Sequence, residues 1–261
     1  MKPLNFDKAV AQHFDRAAIS YAQHDEIQRK AAHDLLGYAN AVKPISPETI
    51  VDIGCGPAAE TTRLESYSQQ YLGIDISREM LAQAQTLNPH LSLLQGHWTA
   101  LPLANESVDW VFANLSLQWV DDLNTAFAEV YRVLKPGGIA TVNTLLPGTF
   151  SSLQNSWAEV DNKPHINNFS TLADITQATE TFPWLHKTFY THNYVQHFSN
   201  LRALLTSIKG VGASLVKRDN NSGLMTKSKL QTLANTYETY RISGGLPLEW
   251  HIVNIVLVKY G

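Results

Sequence analysis

The sequence predicts an α/β fold: a seven-stranded, mostly parallel sheet flanked by helices, with a helical lid at its N-terminal side and a helical cap inserted before the last strand. Three observations predict it. From Thr49 to Leu145, short β-rich apolar runs alternate with segments of helical spacing, the pattern of parallel strands joined by crossover helices. The first of these runs opens directly into glycines, in Val51-Asp52-Ile53-Gly54-Cys55-Gly56, as ligand-binding strand-to-helix turns do. A further β-branched run, Trp250–Tyr260, follows a stretch of different character and reads as a strand returning to the same sheet, antiparallel to the rest.

The elements follow in order. Between Phe6 and Ala41, Phe14, Ala17, Ala18, Tyr21, Ile27, Ala31, Leu35 and Leu36 recur at helical spacing, which predicts two helices broken near Gln23-His24-Asp25. Pro44 and Pro47 punctuate the chain before a first strand at Thr49–Ile53. A helix near Glu60–Ser66, a strand at Tyr71–Asp75, a helix at Ser77–Leu87 and a strand at Leu91–Gln95 come next. A strand at Val108–Ala113, a helix at Asn124–Leu134 and a strand at Ile139–Leu145 complete the alternation. Beyond Pro147-Gly148 the pattern changes: Thr149–Val160 reads as helical and leads into an irregular stretch with Pro164, His165, Asn167 and Phe169. Thr188–Phe198 alternates as a strand, and Leu201–Gly244 holds two helices. The expected organisation is one domain over 1–261, with N-terminal helices at 6–43, a core at 48–147, 171–198 and 246–261, and cap segments at 149–170 and 199–245.

A chain of 261 residues with 44% hydrophobic and 16% charged residues has enough apolar surface to bury a core, which excludes disorder. The net charge of −3 gives no overall attraction to polyanions, so nucleic acid is not an expected partner. Cys55 is the single cysteine, which excludes an intrachain disulfide and suits a reducing compartment. No uninterrupted apolar run reaches the roughly 18 residues of a membrane span, and Met1–Arg16 lacks a secretory signal. The expected location is the cytoplasm, with no membrane partner.

The chemistry centres on the glycine turn. Gly54 and Gly56 let the backbone approach a ligand with no Cβ in the way. About twenty residues on, the second strand ends in Gly73-Ile74-Asp75-Ile76-Ser77, where Asp75 can accept hydrogen bonds from two ribose hydroxyls. Each part alone also suits a plain turn or a helix N-cap at Asp75 and Ser77. Together, at this spacing, they favour a cofactor site at the carboxyl edge of the sheet.

This arrangement resembles the class I S-adenosylmethionine-dependent methyltransferases, whose Rossmann-like sheets open on an acidic-x-Gly-x-Gly turn, here Asp52 to Gly56. Asn114-Leu115-Ser116-Leu117-Gln118-Trp119 and Arg132-Val133-Leu134-Lys135-Pro136-Gly137-Gly138 match the family as well. The resemblance implies that the turn, with Cys55, meets the methionine part of the cofactor and that Asp75 meets the ribose. It also implies that Ile76 and Met80 flank the adenine and that Asn114 and Leu115 border the sulfonium. The chain departs from the family at two positions, with Ala58 where glycine is frequent and His97 where an acid commonly receives the adenine amino group. A neutral imidazole accepts through one nitrogen only, so that amino group is expected to use a backbone carbonyl, with Trp98 packed on the ring.

A finer resemblance is to the malonyl acyl-carrier-protein O-methyltransferases of biotin synthesis. It rests on Phe14-Asp15-Arg16-Ala17-Ala18-x-x-Tyr21 with Gln28-Arg29, on Leu117-Gln118-Trp119, and on Gly148-Thr149-Phe150 through Trp157. Lys209-Gly210-Val211-Gly212-Ala213 and Gly245-Leu246-Pro247-Leu248 add to it. It implies transfer of a methyl group from S-adenosylmethionine to the free carboxylate of a malonyl thioester on acyl carrier protein, with S-adenosylhomocysteine as the other product and no metal. The methyl ester formed primes pimeloyl and biotin synthesis. A carboxylate is already ionised near neutral pH, so no general base is expected. Tyr21 and Gln28 are expected at the cofactor, with Tyr21 and Trp119 positioning the reactants, and Trp157 and His165 are candidates to touch substrate. Arg202, Lys209, Lys217 and Arg218 lie in a stretch, Leu201–Leu230, whose one acid is Asp219, and are candidates for the acidic carrier. Two alternatives share these motifs: a methyltransferase for another small carboxylic acid or a quinone ring, and a cofactor-binding interaction protein without activity.

Overall fold

Alternation along the strands decides the layering. In β1 (Thr49–Ile53), Ile50 joins one buried cluster while Val51 and Ile53 join another. In β4 (Val108–Ala113), Trp110 and Phe112 join the first while Val111 and Ala113 join the second. Apolar residues therefore occupy both faces, as a sheet covered by helices on both sides requires. The computed structural model describes residues 4–18, 21–42, 47–212 and 226–261.

The sheet order is β3-β2-β1-β4-β5-β7-β6, with β2 at Gln70–Asp75, β3 at Ser92–Gln95, β5 at Leu134–Leu145, β6 at Trp184–Phe198 and β7 at Leu246–Lys259. The first five strands pair in parallel, and β7 runs antiparallel to both β5 and β6. One face is covered by α2 (Glu26–Val42), α3 (Thr61–Glu65) and α4 (Arg78–Leu87), through Leu35, Leu36, Leu64 and Ala84. The other is covered by α5 (Leu123–Val133) and α7 (Leu172–Glu180), through Phe127, Val130, Ile175 and Ala178. Among the described residues no helix is long and apolar enough to cross a membrane.

Five elements depart most from the sequence expectation. α7 was not foreseen, although Thr171 and Asp174 form a reciprocal capping box at its start. α6 runs from Ser151 to Ala158, not from Thr149, because Gly148 (φ 97°) and Phe150 (φ 60°) take left-handed conformations that delay the helix. β5 begins five residues early, at Leu134, with a register shift against β4 that absorbs Lys135-Pro136-Gly137-Gly138. β6 and β7 are also longer than predicted. They pair as far as Phe198 with Leu246, whereas β5 reaches only Ile252 of β7.

That overshooting ribbon builds the cap. Trp250, Leu248 and Tyr194 on the ribbon pack with Phe150 just before α6, Leu153 and Trp157 within it, Leu204 and Ile208 of α8 (Leu201–Gly210), and Leu233 and Tyr237 of α9 (Lys227–Glu238). The lid, α1 (Leu4–Ala17) with a 3-10 turn at Tyr21–Gln23, meets the end of α8 at two glycines. A Cβ on Gly210 would lie 2.0 Å from the His24 ring and one on Gly212 would lie 2.7 Å from the Phe14 ring. The Lys209-Gly210-Val211-Gly212 segment is therefore where the cap and the lid touch.

The strand ends are tied down by charge. Lys259, buried at the end of β7, donates to the carbonyls of Leu134 at 2.8 Å and Tyr131 at 3.0 Å and to Glu106 at 3.1 Å. A cation there meets the partial negative charge at the C-terminus of α5. Lys259→Met should lower the unfolding free energy in urea by about 1–3 kcal/mol, because two buried carbonyls lose their donor. An unchanged midpoint would show the carbonyls to be satisfied otherwise.

Candidate active site

The turn after β1 is held by β2, since the Gly54 and Cys55 amides both donate to the Ile74 carbonyl, at 2.7 and 3.1 Å. Gly54 takes φ 76° and Gly56 φ 54°, conformations that glycine adopts at little cost. Ser116 fills the space a Gly54 side chain would need, and its hydroxyl donates to the Ile53 carbonyl at 2.7 Å. Ala58 sits at φ 59°, which explains physically why glycine would be at ease there.

Asp75, at the end of β2, reaches across to this turn. Its Oδ2 accepts from the Gly56 amide at 2.9 Å and its Oδ1 from the Ser77 amide at 2.8 Å. Ser77 caps α4 by accepting from the Met80 amide and donates its hydroxyl to Asp15 of the lid at 2.6 Å. This explains the Phe14-Asp15-Arg16-Ala17-Ala18 motif. Asp15 ties the lid to α4, Ala18 packs on Met80, and Phe14 meets Trp119 edge-on at 5.4 Å between ring centroids.

These elements enclose two adjoining cavities. The larger, about 680 Å³ and open to solvent, is lined by Gly54, Gly56 and Asp75 on one side and by Ile76, Met80, His97 and Trp98 on another. Asn114, Leu115 and Trp119 close it beneath the lid residues Phe14 and Tyr21. The smaller, about 360 Å³, shares Tyr21, Gly54 and Asn114 and adds Gln28, Asp52 and Cys55. Every residue expected at the cofactor thus lines one cavity or the other, as does Trp119.

The second cavity is acidic. Asp25, Asp52 and Glu60 line it beside Arg29, which bonds Asp25 at 2.9 Å. Burial raises the Asp52 carboxyl to about 7, against the opposing hydrogen bond from the Tyr71 hydroxyl at 3.0 Å. Burial likewise raises Asp75 to about 6, with its backbone donors holding it down. The Glu60 carboxyl is pushed up by the same cause. Several groups lie poised to accept or exchange a partner: Gln28 Oε1, Asp25 Oδ2 and Trp98 Nε1 are buried with no hydrogen-bond partner among the described residues. Such orphans are costly unless a ligand or water meets them. The residues therefore fit a ligand with a cationic amino-acid end in the smaller cavity and an aromatic base with a diol in the larger.

His97 also has a defined role in the wall. Its Nδ1 accepts from the Thr99 amide at 3.3 Å and meets the Thr99 hydroxyl at 2.8 Å, so a neutral ring carries its proton on Nε2. That nitrogen is a donor, the opposite polarity to an acid at this position.

The remaining candidates stand apart. Trp157 stacks on His165 at 3.6 Å in the cap core, where His165 bonds Asp161 at 2.7 Å and Lys229 bonds the same carboxylate at 2.6 Å. These two partners hold the Asp161 carboxyl well below the usual range. Neither Trp157 nor His165 lines the two cavities. Arg202 and Lys209 are exposed on α8, and Lys217 and Arg218 lie outside the described residues. The Arg132–Gly138 motif is structural: Arg132 latches the loop before β4 through the carbonyls of Leu101 and Leu103 and pairs with Glu129. Lining residues that were not singled out include Val10, Val120, Asp25 and Glu60. No periodicity marks them, because the lid and the sheet edge converge only in three dimensions.

The seven-stranded sheet sets a glycine turn and an acid at adjacent strand ends over one cavity, and the relatives of the chain make it an S-adenosylmethionine-dependent methyltransferase. A family described as "Methyltransferase domain" matches residues 51–142. The chain is 32% identical to the malonyl-[acyl-carrier protein] O-methyltransferase of Yersinia pestis, over 99% of this chain and 94% of that protein. It is also 33% identical to half of the "Biotin biosynthesis bifunctional protein BioHC" of Cellvibrio japonicus, over 97% of this chain. The chain belongs to the malonyl-[acyl-carrier protein] O-methyltransferase family. In fold it is similar to the YcgJ protein of Bacillus, with a TM-score of 0.62 at 17% identity over 88% of this chain and 99% of that one. It is similar too to a Haemonchus contortus phosphoethanolamine N-methyltransferase solved with S-adenosyl-L-methionine, with a TM-score of 0.59 at 16% identity over 95% of this chain and 57% of that one.

Proposed function

We propose that the protein methylates the free carboxylate of a malonyl thioester carried on acyl carrier protein, with S-adenosylmethionine bound across the two cavities. Asp75 carries the cofactor half of this reading, as a buried carboxylate whose two oxygens each hold one backbone amide and retain acceptor capacity towards the larger cavity, and membership of the family supports the acceptor. S-adenosylmethionine supplies a methyl on a sulfonium, which a carboxylate oxygen takes by in-line displacement, leaving the neutral thioether S-adenosylhomocysteine.

The chain's own residues then have four tasks. Asp75 accepts from the ribose hydroxyls, while Ile76 and Met80 flank the adenine with His97 and Trp98. Asp25, Asp52 and Glu60 complement the ammonium of the methionine end, and Gln28 and Arg29 provide donors for its carboxylate. Tyr21, common to both cavities, and Trp119 orient the acceptor and keep water from the reacting atoms. Burial raises the Tyr21 hydroxyl above its ordinary range, so it stays a hydrogen-bond donor and not a base.

Outside the cavities, Arg202 and Lys209, both exposed on α8, offer positive charge to an acidic carrier. The paired reversal Arg202→Glu with Lys209→Glu should raise KM for the carrier-linked substrate about tenfold and leave a short malonyl thioester unchanged. Equal loss on both substrates would remove these residues from carrier docking.

Cofactor affinity should depend on pH. Asp52 and Asp75 titrate at about 7 and about 6 in the ligand-free protein, above an unfolded carboxylate near 3.9. The folded state thus keeps protons that the unfolded chain releases, so the contribution of these groups to folding is full below about pH 4, falls progressively as pH rises and is gone above about 6–7. Binding that uses the carboxylates has the opposite sign and weakens on acidification. The dissociation constant for S-adenosylhomocysteine should rise at least about tenfold from about pH 7.5 to about pH 5. Calorimetry across that range checks it, and a flat profile would exclude both carboxylates as ligand groups.

The deciding experiment is single-turnover transfer of labelled methyl to malonyl-carrier protein, with succinyl- and acetyl-carrier as controls and the product identified by mass. A methyl ester on malonyl alone is expected. Cofactor binding without transfer would return the acceptor to another small acid, a quinone ring or no acceptor at all.

A further inference from the structure

We propose that Asn143 is a positioning residue for methyl transfer, a clamp that fixes the Asn114–Leu115 edge of the site against helix α2; the inference rests on the transferase reading above. Asn143 lies near the C-terminal end of β5, completely buried, directly opposite the equally buried Asn254 of β7. Val142, next to it, and Leu145, two residues on, belong to the apolar clusters. A polar amide in this setting is costly unless every group is met.

Here the groups are met, and the partners are those that shape the site. Asn143 Oδ1 accepts from the Leu115 amide at 2.7 Å. Its Nδ2 donates to Asn114 Oδ1 at 2.8 Å and makes longer contacts of 3.4 Å with the Ala31 carbonyl and Asn254 Oδ1. Asn114 in turn donates through Nδ2 to the Gln28 carbonyl at 2.9 Å. One side chain therefore links two cavity-lining residues of the β4 edge to two turns of α2, the helix that carries Gln28 into the acidic cavity.

Leu115 shows what the clamp holds. It takes φ 49°, a left-handed conformation disfavoured for a residue with a Cβ. Its amide is anchored by Asn143, and its carbonyl accepts from Gln118 Nε2 at 2.6 Å. Filling the buried position with an aliphatic residue would satisfy packing alone. What the amide adds is direction, because its acceptor end faces an N–H and its donor end faces an oxygen.

That polarity gives the test. In Asn143→Asp an ionised carboxylate would oppose Asn114 Oδ1, whereas a protonated one donates to it and still accepts from Leu115. The ratio of variant to wild-type kcat, measured at saturating cofactor, should rise at least about fivefold as pH falls from about 8.5 to about 6. Asn143→Ala should lower kcat at least about tenfold with no pH trend in the ratio. A flat ratio for a folded Asn143→Asp would overturn the proposal, as would an Asn143→Ala protein with kcat within about twofold of wild type. Circular dichroism at each pH identifies an unfolded Asn143→Asp, and Asn143→Ala then decides alone. If the wild type itself transfers no methyl, the transferase reading fails and hydrogen exchange of the Leu115 amide decides the clamp. Exchange at least about tenfold faster in Asn143→Ala supports it, and unchanged exchange overturns it.

Discussion

Asp75→Asn is expected to raise the dissociation constant for S-adenosylhomocysteine about a hundredfold, or about 3 kcal/mol, the worth of one or two hydrogen bonds to a charged group. In the wild type the two carboxylate oxygens accept from the Gly56 and Ser77 amides, and both retain a second lone pair for ligand hydroxyls. An amide keeps one acceptor and turns its NH₂ towards a backbone N–H, so the turn and the ligand contact are damaged together. Calorimetric titration checks the prediction, with circular dichroism to confirm that the variant is folded. An affinity within threefold of wild type, in a folded variant, would refute the assignment of Asp75 to the ligand.

Gly54→Ala is expected to have the second large effect, on stability as well as binding. A Cβ there would lie 2.3 Å from Ser116 Cβ and 2.7 Å from its hydroxyl, at a residue with φ 76°. Ser116 is not at liberty to move aside, since its hydroxyl holds the Ile53 carbonyl. Left-handed strain of about 1 kcal/mol and overpacking of about 1–3 kcal/mol should together cost about 2–4 kcal/mol in urea unfolding. Gly137→Ala is the control, because Gly137 has φ 73° and nothing within 4 Å of a Cβ, so only the strain of about 1 kcal/mol applies. Adding Ser116→Gly to Gly54→Ala should recover the overpacking part and leave the strain. Equal losses at Gly54 and Gly137 would show that the close approach of Ser116 carries no cost.

Legibility in the sequence differs between the two halves of the site. The cavity wall built by strand ends and the turns after them was readable, because Gly54, Gly56, Asp75, Asn114 and Leu115 follow apolar strands whose parallel order brings their carboxyl ends to one edge. The acids of the smaller cavity were not all readable. Asp25 precedes α2 and Glu60 precedes α3, where each looks like an ordinary helix-start residue. Only the packing of α2 against the sheet brings them to face Asp52. Trp157 and His165 show the converse. Their residue types suggested substrate contact, yet they stack on one another in the cap core, where an aromatic pair gains as much from burial as it would from a ligand.

By itself the sequence determined the alternation of strands and helices, the glycine turn with its distant acid, and the family. These are local properties: periodicity sets which face of each element is apolar, and a positive φ or an absent Cβ is demanded by the turn itself. The tertiary structure alone decided how far β6 and β7 overshoot the sheet to carry the cap, and where the lid and cap meet at Gly210 and Gly212. It alone decided that Asn143, buried in β5 with Thr141 and Thr144, joins that strand to the site edge and to α2. Such features depend on contacts between residues distant in the chain, and the energy of a buried amide or a close approach has no sign until its partners are in place.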